Sequence, residues 1–270
     1  MEPKTGYLDI NGAKLYYEEM GAGDAVVFVH AGIADNRMWD DQFAVFAEKY
    51  RAIRFDNRGF GKSNAPKGPF SLHADIRGVM QALGVESAAV IGCSMGGMAV
   101  IDFALEYPDM ARALVVVNGG ISGEQFDGPP PPLWAEYEAA EKAGDFDLAS
   151  DYAVRIWVDG RKRRPTEVDA RIREKVREMT RISYNNPPDL SQYQEIDPPA
   201  ASRLDQLHMP VLAVAGDMDD ASVLFNMDQL AANAPNARKV VLRGTAHLPN
   251  MERPDDFNQV VLGFLAGAGG

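Results

Sequence analysis

Apolar residues interspersed with polar ones make up two short runs, GYLDI (6–10) and KLYYEEM (14–20), on either side of Asn11-Gly12-Ala13. Asn-Gly between two such runs predicts a β-hairpin. Later strands have a different pattern. The run AVVFVH (25–30) is apolar on successive positions, which predicts a strand buried on both faces. Similar candidates are RAIRFD (51–56), SAAVIGC (87–93), ALVVVN (113–118), MPVLAVAGD (209–217) and ARKVVLRG (237–244). Between them, apolar residues recur at helical spacing in 37–50, 71–84, 95–108 and 222–235, and again in 254–267. Strand and helix in turn predict an α/β fold: a mostly parallel, doubly wound sheet of about eight strands.

The rhythm breaks at Asn118. Residues 118–134 are rich in turn formers and include four consecutive prolines, and residues 133–181 read as charged helices. A second proline-rich piece follows at 184–201. No strand pattern is visible from 121 to 205. The expected organisation is therefore a core of residues 1–120 and 206–270, with residues 121–205 inserted as a helical cap.

Composition narrows the partners. A net charge of −12 over 270 residues argues against nucleic acid and against an anionic membrane surface. No apolar run approaches the roughly 20 residues of a membrane span. The N-terminal stretch carries no signal-peptide pattern, and the single cysteine, Cys93, excludes an intramolecular disulfide. A cytoplasmic protein, monomer or homodimer, is expected. One cysteine and four histidines at these spacings build no zinc-type cluster, so neither metal nor organic cofactor is expected.

Gly92-Cys93-Ser94-Met95-Gly96 fits G-x-S-x-G between a predicted strand and a predicted helix. That context makes the central residue the tip of a sharp strand-to-helix turn, with glycines allowing close approach. The centre is Ser94, and Cys93 reads as a packed small hydrophobe. A serine hydroxyl needs a base. His208 approaches a strand and His73 sits in a helix, while His30 ends one strand and leads into a loop. His247 follows the last strand, at the sheet end where catalytic groups gather, and is the best base. Asp217, Asp219 and Asp220 follow the preceding strand and could orient it. Backbone N–H groups of Met95 and Gly32, the latter in the loop after AVVFVH, are candidates for an oxyanion hole.

These stretches together resemble the α/β-hydrolase fold superfamily over essentially the whole chain. The resemblance selects Asp219 within Gly216-Asp217-Met218-Asp219, and it matches Gly244-Thr245-Ala246-His247 to the family's histidine motif. Its oxyanion loop falls on His30-Ala31-Gly32, with Ala31 where glycine is usual. Asp56, Arg58, Gly59 and Gly61 match a D-x-R-G-x-G pattern of structural character. Ser94 at the elbow centre differs from the aspartate of haloalkane dehalogenases and epoxide hydrolases, and from the cysteine of dienelactone-hydrolase-like enzymes. The chain looks most like bacterial carboxylesterases and enol-lactone hydrolases.

The expectation is a serine hydrolase of carboxylic esters or lactones, with Ser94 as nucleophile, His247 as base and Asp219 as orienting acid. His30, Ile33, Trp134, Trp157 and Leu248, together with Tyr184, are candidate pocket residues. The same triad would also support a C–C hydrolase, an amidase or a perhydrolase. A ligand receptor on this fold is the alternative from another class.

Overall fold

The sheet opens on a two-residue turn, Asn11-Gly12, with φ of 47° and 79°. Two positive φ values match the twist of a hairpin, and Asn and Gly adopt them at least cost. The turn joins β1 (Lys4–Ile10) antiparallel to β2 (Ala13–Met20), with Ile10 opposite Ala13. The structure, a computed structural model, describes residues 2–268. Six further strands are β3 (Ala25–Val29), β4 (Arg51–Phe55), β5 (Ala88–Cys93), β6 (Ala111–Val117), β7 (Val211–Gly216) and β8 (Ala237–Leu242). Their order is β1-β2-β4-β3-β5-β6-β7-β8, and every neighbouring pair from β4 to β8 is parallel.

The runs of β3, β5 and β7 are buried throughout and that of β6 at all but one position, whereas β8, at the sheet edge, is mostly half-buried or exposed. Val27, Val90 and Val116 pack on one side with Ile76 of α2 (Leu72–Ala82), Phe103 of α3 (Met95–Glu106) and Met227 of α7 (Ala221–Asn233). Phe28, Ile91 and Val115 pack on the other with Phe43 and Phe46 of α1 (Asp40–Ala47) and Phe257 of α9 (Pro254–Ala268). A short helix, α8 (Pro249–Glu252), precedes α9.

Between β6 and β7 the chain forms α4 (Trp134–Ala143), α5 (Phe146–Ala153), a π-helical turn Val154–Asp159 and α6 (Ala170–Ser183). These helices bind the loops at the carboxyl ends of the strands. Thr180 Oγ1 donates to Ile33 C=O (2.8 Å), Arg161 N–H to Met218 C=O (3.2 Å), and Lys175 pairs with Asp40 (2.7 Å). The chain rejoins the core before the expected residue 206. Ile196, Ala200 and Leu204 are buried in the same cluster as α2 and α3, and Tyr193 bridges to Phe70. Proline-rich composition hid this return, because it gives no periodic signal. No helix among the described residues is long and apolar enough to cross a membrane.

Asp102, on α3, is wholly buried. Its Oδ1 accepts from Ser122 Oγ (2.7 Å), and its Oδ2 has no partner. Burial pushes its carboxyl up to about 6, against the opposing pull of the Ser122 hydroxyl. The folded state thus holds this proton more tightly than the unfolded chain, whose value is near 3.8. The associated stabilisation is complete below about pH 4 and is lost as pH rises through about 6. Asp102→Asn should therefore gain stability relative to wild type between pH 4 and pH 8, by on the order of 3 kcal/mol. Urea unfolding at the two pH values measures this, and a gap that does not widen contradicts it.

Candidate active site

Ser94 sits between β5 and α3 at φ 54° and ψ −116°. A positive φ on a residue with a Cβ costs on the order of 1 kcal/mol or more, and it persists only where the surroundings enforce it. Here the enforcement is steric. A Cβ at Gly96 would strike the Val29 and His30 carbonyls, and one at Gly92 would strike the Gly96 backbone. The glycines let α3 start directly against β3 and β5, so the turn between them has nowhere else to go.

Cys93 points the other way, fully buried in the core. Burial, reinforced by the Asp219 charge, pushes its thiol well above the ordinary range. A neutral buried thiol is a poor nucleophile. Ser94, half-buried, is the residue presented at the sheet's carboxyl end.

His247 follows β8, and its Nδ1 lies 2.7 Å from Asp219 Oδ2. A carboxylate only accepts, so Nδ1 carries the proton and Nε2 keeps its lone pair. Both side chains are almost wholly buried, which holds the pair in one geometry. The neighbouring acids are committed elsewhere. Asp217 Oδ1 accepts from Gly244 N–H (2.6 Å), and Asp220 caps α7 by accepting from Ser222 N–H (3.0 Å).

Asn118 brings these loops to the elbow, a part that the sequence reading missed. At φ 44° it follows β6, where Ser94 N–H donates to Val117 C=O (2.9 Å). Asn118 Nδ2 donates to Ala246 C=O (2.8 Å), and its Oδ1 accepts from Gly216 N–H (3.1 Å). One side chain thus links the ends of β6 and β7 to the residue before His247. Cys93 Sγ, 3.6 Å from the His247 carbonyl, marks the same juxtaposition. A lone asparagine after VVV was the available signal.

Gly32 and Met95 lie side by side at one cavity of about 410 Å³. Neither of their N–H groups has a hydrogen-bond partner among the described residues. Met95 is the first residue of α3, where N–H groups are free by construction and the helix dipole favours negative charge. Ile33 and Tyr184 also line this cavity, along with Phe60, Phe70 and Tyr193.

The other expected pocket residues lie outside that lining. His30 is fully buried: its Nδ1–H donates to Ala31 C=O (2.8 Å), and its Nε2 accepts from Asn57 N–H (2.9 Å). Burial lowers its basicity, so it serves as a neutral brace between the β3 and β4 loops. Leu248 is fully buried in the core. Trp157, in the π-helical turn, packs tilted against the His247 ring with centroids 4.5 Å apart, and its carbonyl accepts the His247 backbone N–H (3.2 Å). Trp134 packs edge-on against Trp157. A strand-end position fixes the loop of His30 and Leu248 but not the direction of their side chains, and the packing of the inserted helices sets that of Trp134 and Trp157.

The family profile of the alpha/beta hydrolase fold matches residues 24–254. The chain belongs to that family. It is 25% identical over 252 residues to 3-oxoadipate enol-lactonase 2 of Acinetobacter baylyi, covering 92% of this chain and 91% of that one. It is 27% identical over 281 residues to the 2-hydroxy-6-oxo-6-phenylhexa-2,4-dienoate hydrolase of Burkholderia cepacia, covering 95% and 93%. Among solved structures, Est816, described as an N-acyl homoserine lactone degrading enzyme, superposes with a TM-score of 0.77. It is 26% identical, with 96% of this chain and 100% of that one covered.

Proposed function

We propose that the protein is a serine hydrolase that cleaves carboxylic esters or lactones through an acyl-enzyme. The observation that carries this reading is the 2.7 Å contact of His247 with Asp219, on a loop that reaches the elbow of the strained, half-buried Ser94, where Cys93 Sγ lies 3.6 Å from the His247 carbonyl. The lactone-acting relatives support the substrate class.

In the first step His247 Nε2 takes the Ser94 hydroxyl proton as Oγ attacks the carbonyl carbon. The oxygen gains negative charge and is met by the Gly32 and Met95 N–H groups. Collapse breaks the C–O bond, and the leaving oxygen receives the proton from His247. Water, deprotonated by the same nitrogen, then attacks the acyl carbon, and the bond to Ser94 Oγ breaks as His247 returns the proton to that oxygen, releasing the acid. Asp219 stays ionised throughout and stabilises the imidazolium. The cavity is mostly apolar and of a size that holds one small molecule.

The dienoate hydrolase relative supports a second reading, C–C bond hydrolysis by the same Ser94, His247 and Asp219 of this chain. An ester and lactone panel run beside a vinylogous diketone separates the two.

The direct test of the nucleophile is phenylmethylsulfonyl fluoride. It should add its sulfonyl mass to the peptide containing Ser94 and abolish turnover in parallel. Full inactivation with the label on another residue, or an unlabelled protein in excess reagent, overturns the assignment.

A further inference from the structure

Glu141, on α4, lines the same cavity as Gly32 and Met95 and is half-buried there. Its Oε1 accepts from two phenols, Tyr137 OH at 2.6 Å and Tyr184 OH at 2.7 Å. Its Oε2 has no hydrogen-bond partner among the described residues, and no cation among them pairs with the carboxylate. The other charged side chain of the lining, Arg58, is engaged. Its Nε and Nη2 grip Asp75 at 2.6 and 2.7 Å, with both residues buried.

A carboxylate in a mostly apolar wall is unfavourable unless its oxygens are satisfied. Two tyrosines fix one oxygen in place. Burial, with the Glu141 contact, raises both phenols above their ordinary range, so they remain donors. The second oxygen is held in a set direction by an anchored group, which is how a binding site fixes the orientation of a ligand. What it lacks is a donor, and a cationic donor gives the strongest charge-assisted bond.

We infer that Glu141 is a specificity-determining residue that receives a protonated amine of the substrate, so that the preferred ester or lactone is an amino-substituted one. This rests on the hydrolase reading of the cavity, and it adds the polar group that the reading leaves open. The step is binding only. No bond forms or breaks at Glu141.

The probes are linear primary amines of four to eight carbons and the alcohols of equal length. Calorimetry on Ser94→Ala protein gives their affinities, and competition against 4-nitrophenyl acetate turnover in wild type places them at the cavity. The best amine should bind at least about tenfold more tightly than its matched alcohol. In Ser94→Ala/Glu141→Gln the ratio should fall to near one, since glutamine keeps an acceptor for both tyrosines but loses the charge. Equal affinities of amine and alcohol overturn the inference, and so does a preference that survives Glu141→Gln. An amine preference lost in Glu141→Gln, together with no hydrolysis of any ester or lactone, upholds the amine site and sinks the hydrolase reading instead.

Discussion

Ser94→Ala should lower kcat/KM for 4-nitrophenyl acetate by about 10⁴-fold or more while the protein stays folded. The size of the loss follows from the absence of a substitute. Cys93 is the adjacent nucleophile by sequence, but it is fully buried and its thiol is held in the neutral form by that burial. The Gly32 and Met95 N–H groups, proposed as oxyanion donors, are untouched by the substitution, so some rate above that in water should persist. Stability should change little. Alanine occupies the same φ of 54°, and the serine hydroxyl makes no hydrogen bond among the described residues whose loss would register. Steady-state kinetics with a thermal melt of the same preparation measures both. A variant with a tenth or more of wild-type activity would remove Ser94 from the mechanism.

The second large effect is expected at Asp219. Asp219→Asn should reduce kcat by about 10⁴-fold, with a much smaller change in KM. An amide can offer N–H to His247 Nδ1, which puts the imidazole proton on Nε2, where it can no longer accept from Ser94. Neither neighbour can take over: Asp217 is tied to Gly244 N–H and Asp220 to the start of α7. Reaction with phenylmethylsulfonyl fluoride should slow in step with turnover, because both need the same proton acceptor. Undiminished labelling beside a lost kcat would mean that Asp219 acts after acylation and not on the nucleophile.

Much of this arrangement was legible before any coordinates. The central parallel strands β3, β5 and β7 announced themselves as apolar runs, because a strand covered on both faces disfavours polar side chains. The hairpin was legible in Asn11-Gly12, and the elbow in Gly92 and Gly96. There the structure shows that any side chain would collide with the backbone of a neighbouring element. Family resemblance selected Asp219 from three aspartates, and the hydrogen bonds give the physical counterpart: Asp217 is spent on the Gly244 N–H and Asp220 on the Ser222 N–H.

The wall of the cavity was not legible. Trp134 and Trp157 were candidate pocket aromatics, yet Trp157 packs against the His247 ring and Trp134 edge-on against Trp157. His30 looked like an active-site histidine, yet both of its ring nitrogens brace loops. Asn118 was read only as the end of the strand rhythm, and Glu141 was not singled out. Local sequence determined the strands, the sharp turns and the chemistry available at the strand ends, since these depend on backbone sterics and on periods of two or a few residues. Only the tertiary structure decided which side chains face one another across the cavity. Asn118 meets Ala246 across 128 positions of chain, and Tyr184 meets Glu141 across 43. Contacts at such separations are fixed by how the helices settle over the sheet, and no local pattern carries that information.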